Sequence, residues 1–176
     1  MANKQALREL QTRLAERMQQ VRHETPGVSW LAVDCGGQGL LLALRQAGEI
    51  SDLGALVPVP HTQPWLAGVV NLRGGVFTVV DLARFLGLRA QAAPPTRDHA
   101  RLVAFNAALG INGALLVDRL EGLRHAVDMQ PEPETTDNDL RPAFAPARWC
   151  DAAGRAWQEI DLAALARLPQ FLAITG

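Results

Sequence analysis

Tyrosine is absent from this 176-residue chain, aromatic residues make up only 5% of it, and 17 basic side chains nearly cancel 18 acidic ones. A single-strand nucleic-acid binder wants aromatics interleaved with basic residues and a net positive field, so nucleic acid is not an expected partner. Cysteine is equally scarce. Cys35 and Cys150 stand far apart and outside any CxxC spacing, which fits structural thiols better than a disulfide framework or a nucleophile. His23, His61, His99 and His125 are scattered singly, without the HxxxH spacing that puts two ligands on one metal, so no metal and no cofactor is expected. No apolar run approaches the roughly 20 residues that span a bilayer, and the charged N-terminus MANKQALREL lacks the apolar core of a signal peptide. The expected location is cytoplasmic, with no direct membrane insertion.

Phosphate-binding patterns are missing too. Neither GxxxxGK[ST] nor GxGxxG occurs, and Gly36-Gly37-Gln38-Gly39 joins two strand-like runs where a phosphate loop would open a helix. Carboxylates cluster only between Glu132 and Asp139, in a proline-rich polar stretch that offers no enclosed setting for acid–base work. The chain is therefore not expected to be an enzyme. Its substance is apolar: 48% hydrophobic and 20% charged residues suit a compact fold of ordinary size.

Leu7, Leu10, Leu14, Met18 and Val21, spaced 3, 4, 4 and 3 apart in a stretch free of Gly and Pro, predict an amphipathic helix over residues 3–23. Its other faces carry Lys4, Arg8, Glu9, Arg13, Glu16, Arg17 and Arg22. So narrow a seam suits docking onto one other surface, whether in its own domain or in a partner. After Thr25-Pro26-Gly27 the pattern changes to short apolar runs punctuated by Gly and Pro, the signature of strands and turns. Residues 28–34 and 39–45 read as a hairpin, 55–59 as a short extended piece, and 66–72 with 76–80 as a second hairpin. Residues 91–98 read as a connector, residues 102–105, 111–117 and 123–127 as further strands, and 129–142 as an exposed loop. Asp81 precedes Leu82-Ala83-Arg84-Phe85 as a helix cap, and Ile160-Asp161-Leu162-Ala163 echoes Val80-Asp81-Leu82-Ala83. Two successive β units favour two small barrels sharing an interface, the first in about residues 28–90 and the second in about 100–173.

The most distinctive stretch runs from Trp65 to Leu82, apolar on both sides of a polar turn. Gly68, Val69, Asn71, Leu72, Arg73, Gly74, Val79, Asp81 and Leu82 match the run GVxNLRGxxxPVxDL, and in this the chain resembles the CheW family of chemotaxis adaptors. Trp30-Leu31, Glu49-Ile50 and residues 113–120 extend the similarity over most of residues 28–170. Thr78 stands where the family usually has proline, and the leading helix together with residues 157–172 looks like the PilI branch, which serves type IV pili and twitching motility.

The resemblance implies a mainly β fold of two five-stranded SH3-like barrels preceded by the N-terminal α-helix. It also implies a scaffold that joins the cytoplasmic tip of a chemoreceptor to the regulatory domain of a CheA-type histidine kinase. Arg73 is then an interface arginine whose guanidinium offers fixed donors to carboxylates on a partner helix, and Glu49 matches a receptor-contact position. Val69 and Val70 alternate across a strand, so one faces the core and the other outward. Asn71 and Gly74 shape the turn at the same surface. The reading from another class, a small-molecule-binding or hydrolytic barrel, would need a pocket with convergent polar groups.

Overall fold

The computed structural model describes residues 27–90, 98–132 and 141–176. The expected N-terminal helix, most of the 91–98 connector and the centre of the acidic loop lie outside the described residues. The described chain is mainly β, with eleven strands in two sheets and a few short helices. Strands β1 (Ser29–Cys35), β2 (Gln38–Ala43) and β3 (Ala47–Asp52) are followed by the hairpin β4 (Leu66–Leu72) and β5 (Gly75–Asp81) and by helix α1 (Leu82–Phe85). Then come β6 (Arg101–Phe105), β7 (Gly113–Val117), β8 (Arg119–His125), β9 (Met129–Pro131), the hairpin β10 (Arg148–Asp151) and β11 (Ala156–Ile160), and helices α2 (Leu162–Arg167) and α3 (Pro169–Leu172). Among the described residues no helix is long and apolar enough to cross a membrane.

One sheet has the order β8-β1-β2-β11-β10-β9 and the other β3-β6-β7-β5-β4. Each folds round so that its edges meet. In the first, the 3-10 turn Ala126–Asp128 leads directly from edge strand β8 to edge strand β9. In the second, the chain leaving edge strand β3 pairs with edge strand β4, where Val57 and Val69 exchange N–H···O bonds of 2.9 and 2.8 Å. We refer to these as barrel 1 and barrel 2.

The sheets do not divide the chain at the 91–98 connector, as the sequence pattern suggested. Strand β2 has partners on both sides, β1 and β11, so β3 cannot continue the meander beside it and pairs instead with β6. Likewise β7 lies between β5 and β6, and β8 crosses to pair with β1. The first half of the chain thus gives β1 and β2 to barrel 1 and β3, β4 and β5 to barrel 2, while the second half gives β6 and β7 to barrel 2 and β8 to β11 to barrel 1. Strand β3 itself was not legible, because Gly48, Glu49, Ser51 and Asp52 give it the composition of a polar edge strand. The run expected at 55–59 contributes only the Val57 bridge, and the strand expected at 123–127 begins instead at Arg119 and ends at His125.

The apolar runs of the central strands are continuous because both faces are buried. Alternate residues of β6 and β7 split cleanly. Leu102, Ala104, Ala114 and Leu116 point into barrel 2 with Val70 and Val79, whereas Val103, Phe105, Leu115 and Val117 meet Leu31, Val33, Leu40 and Leu42 between the barrels. In β1 and β2 the complementary set, Trp30, Ala32 and Leu41, fills barrel 1 with Trp157 and Met129. The largest cluster is the one between the barrels, which α2 and α3 complete with Leu162, Leu165 and Phe171. Burying a side chain of this size stabilises by about 1.5–3 kcal/mol, so this shared core holds the two barrels together.

Candidate partner-binding surface

The turn of the β4–β5 hairpin is two residues long, Arg73 and Gly74, between the paired Leu72 and Gly75. Both turn residues have positive φ, 49° and 82°. This is the type I′ geometry, whose twist matches that of the flanking strands. Gly74 accepts it without strain, and no atom lies within 4 Å of where its side chain would be, so its role is conformational. Arg73 is one of two described non-glycine residues in this region of φ, and Asn71 braces it by accepting the Gly74 N–H on Oδ1 at 2.9 Å. The arginine itself thus takes a positive φ and is held out on the tip.

Glu49 and Arg73 come together. Arg73 Nε lies 2.9 Å from Glu49 Oε2, with the side chains 80% and 34% exposed. Strands β3 and β4 are the two edges of their sheet, so this pair spans the seam where barrel 2 closes. An ion pair so exposed contributes only about 0–1 kcal/mol to stability, which leaves the guanidinium able to exchange its partner.

The two valines separate as the pleat requires. Val70 is 4% exposed and belongs to the core of barrel 2, so its side chain is removed from the candidate surface; Val69 is half-buried on the outer face opposite Thr78. On that outer face Asn71 pairs with Val76, which is 64% exposed. Beyond Thr78 the strip opens into an apolar cleft of about 160 Å³, walled by Ile111, Phe171, Leu172 and Ile174. Val76, Leu172 and Ile174 were missed by the sequence reading. Strand parity within the hallmark run could have found Val76, but nothing in the sequence brings residues 172 and 174 to the hairpin.

At the base of the hairpin the polar groups are committed to structure. Asp81 Oδ1 accepts the Arg84 N–H at 3.1 Å, capping α1, and Oδ2 lies 3.2 Å from Arg89 Nη1. Arg89 also donates to Asp118, whose other oxygen takes the Gly36 N–H at 2.7 Å. Burial pulls the Arg89 pKa down, but the hydrogen bond to Asp118 and the charge of Asp81 together raise it above its ordinary value. Cys35, buried beside this group, has its thiol pushed well above the usual range by burial and by the Asp118 charge, which unfits it as a nucleophile at neutral pH.

Residues 29–170 match the family model described as CheW-like domain. The chain is 33% identical over 117 residues to the probable chemotaxis protein CheW of Rhizobium etli, covering 65% of this chain and 72% of that protein. It is 31% identical over 121 residues to chemotaxis protein CheW of Rhizobium meliloti, covering 68% and 75%. Protein PilI of Pseudomonas aeruginosa matches at 27% over 99 residues, 55% of this chain and 53% of that one. Among solved structures, the scaffolding protein TtCheW from Thermoanaerobacter tengcongensis superposes with a TM-score of 0.64 at 18% identity, covering 80% of this chain and 88% of that one.

Proposed function

Because the chain belongs to the CheW-like domain family of adaptors and scaffolds, we propose that it couples a chemoreceptor to a CheA-type histidine kinase, by contact and without turnover. The observation that carries this reading is the outer face of the β4–β5 hairpin. An arginine in a braced turn stands 80% exposed beside Glu49, and an exposed valine and an apolar cleft follow it along the same strip. The cytoplasmic tip of a receptor, a helical coiled coil, lays apolar side chains along Val69, Val76 and the cleft while its carboxylates answer Arg73. Arginine suits this role because its fork of donors matches a carboxylate geometrically. The regulatory domain of the kinase takes a second surface, and the assembly forms on the cytoplasmic side at membrane-bound receptor arrays. The identity to PilI supports a type IV pilus version of the same role.

The rival reading, a ligand-binding or hydrolytic barrel, would draw on the cleft of about 550 Å³ beside barrel 2. Its one carboxylate, Asp81, is committed to the Arg84 amide and to Arg89, which favours the adaptor.

The test is calorimetry of the wild type and Arg73→Glu against a receptor cytoplasmic fragment and a kinase regulatory domain from the same genome. The wild type binds both. The substitution weakens at least one contact by about 2 kcal/mol, roughly thirtyfold, with an unchanged circular dichroism spectrum. Equal affinities for the two proteins, or no binding by the wild type, would overturn the assignment.

A further inference from the structure

Barrel 1 is open at one end, where a cleft of about 500 Å³ is lined by Gly27, Val28, Ser29, Ala43, Leu44, Arg45 and Glu159. Its rim is apolar and exposed, with Val28 at 56% and Leu44 at 39%. The adjoining 3-10 turn, tied to Val28 by the Ala126 N–H at 2.9 Å, carries Val127 at 87% exposure. At the cleft, Glu159 accepts the indole N–H of Trp30 at 3.2 Å and that of Trp149 at 2.9 Å. Both donors are neutral, and no described cation forms an ion pair with Glu159; Arg45, on the same rim, is not within ion-pair distance. This is an apolar mouth whose one carboxylate, Glu159, has no ion-pair partner among the described residues.

We propose that this mouth is the docking site of the chain's own N-terminal segment. The sequence periodicity places the last apolar positions of the segment, Met18 and Val21, beside two cations, Arg17 and Arg22. Only Glu24, Thr25 and Pro26 separate residue 23 from Gly27, and the four residue steps span at most about 14 Å. The end of the segment is therefore confined to the neighbourhood of the cleft that Gly27 lines. Tethering on so short a linker gives an effective concentration in the millimolar range, which a second copy or a partner helix would have to exceed. The stripe covers Val28 and Leu44, the basic flank faces Glu159, and Val127 extends the apolar floor towards the earlier leucines. This use of barrel 1 is independent of the hairpin surface on barrel 2.

Hydrogen–deuterium exchange read by mass spectrometry tests the proposal on the full chain at dilute concentration. Peptides over residues 7–21 are expected to exchange slowly, and the double substitution Met18→Glu with Val21→Glu to return them to the rate of an unstructured peptide. Glu159→Gln should raise their exchange several-fold, and removing residues 2–24 should shift tryptophan emission through Trp30 and Trp149. The double substitution lies outside the β core, so it reads out docking even if the Glu159 variant folds poorly. The proposal fails if residues 7–21 exchange at the unstructured rate in the wild type. It fails equally if their protection grows with protein concentration, which points to a second copy, or arises only on adding a receptor fragment or kinase domain.

Discussion

In barrel 1 the β10–β11 turn folds its polar groups inward. Asp151 accepts the N–H groups of Ala153 and Arg155 at 3.0 and 2.9 Å and the indole N–H of Trp157 at 2.9 Å. Arg155 lies over the Trp157 ring, 4.3 Å from its centroid, and pairs with Asp34 at 3.0 Å. In barrel 2 the corresponding β4–β5 turn sends Arg73 outward and spends only Asn71 on itself. The two hairpins stand in matching places, each leading to an aspartate-capped helix and each ending in a strand paired in parallel, β5 with β7 and β11 with β2. What distinguishes them is whether the fold consumes the turn's charges. The hairpin whose charge is engaged only by an exposed ion pair, Arg73 with Glu49, is the one suited to meet a partner.

The caps differ in the same way. Asp161 accepts from the Ala163 and Ala164 amides at 2.9 and 3.0 Å and from the neutral Gln46 side chain at 3.0 Å, whereas Asp81 faces Arg89 in a buried site closed on the far side by Asp118. Arg89→Met takes the shared cation from two carboxylates whose side chains are 2% and 14% exposed, leaving Asp81 with the longer Arg84 ion pair at 3.5 Å. Removing one partner of such a group costs about 3–5 kcal/mol. Asp161→Ala removes only a cap, about 1 kcal/mol. Urea unfolding of the two variants measures the contrast directly, and equal losses would show that the charged joint is no more than a cap.

Closure of barrel 2 offers the next contrast. Gly68 sits at φ +140°, and a Cβ there would lie 2.3 Å from the Val57 carbonyl oxygen. Gly68→Ala should therefore cost about 1–3 kcal/mol in strain and open the Val57–Val69 bridge, leaving barrel 1 unchanged. Amide exchange should rise at residues 57 and 69 and stay the same along β1 and β2. A uniform rise would mean that the barrels open together.

Much of this was legible in the sequence. Alternation and turn residues located the β1–β2 and β4–β5 hairpins and the two aspartate caps, because each depends on chemistry within a few residues. The way each half of the chain divides its strands between the two sheets was not, since it follows from which strand edges are already occupied, a property of the assembled fold. Of the candidate surface residues, Arg73 and Glu49 meet at the seam of barrel 2 and Val69 lies half-buried on the outer face of β4. The ion pair between the first two was invisible, because it depends on the barrel closing, and Val70 could be assigned to the core only once the β4 bulge between Leu66 and Gly68 fixed its parity.

The smallest effect concerns acid. The indole N–H of Trp157, then the Arg155 amide, hold the Asp151 carboxyl below its ordinary range. A carboxyl depressed in the folded state contributes stability that is fully present above its unfolded pKa of about 3.9 and is lost as pH falls through the folded value. Trp157→Phe removes the largest of these causes, so less stability remains to be lost on acidification. The substitution also costs packing energy, but that cost does not depend on pH and enters as a constant offset. The stability gap between wild type and variant, read from urea midpoints, should thus be flat from neutral pH down to about pH 5 and narrow below about pH 4. No comparable narrowing is expected for Asn71→Ala at the barrel 2 turn, where the side chain that braces the backbone is an amide and does not titrate. A gap that stays constant through the acid range would mean that the indole contact adds nothing to the ionised form of Asp151, and that the inward turn of barrel 1 is held by its backbone N–H groups alone.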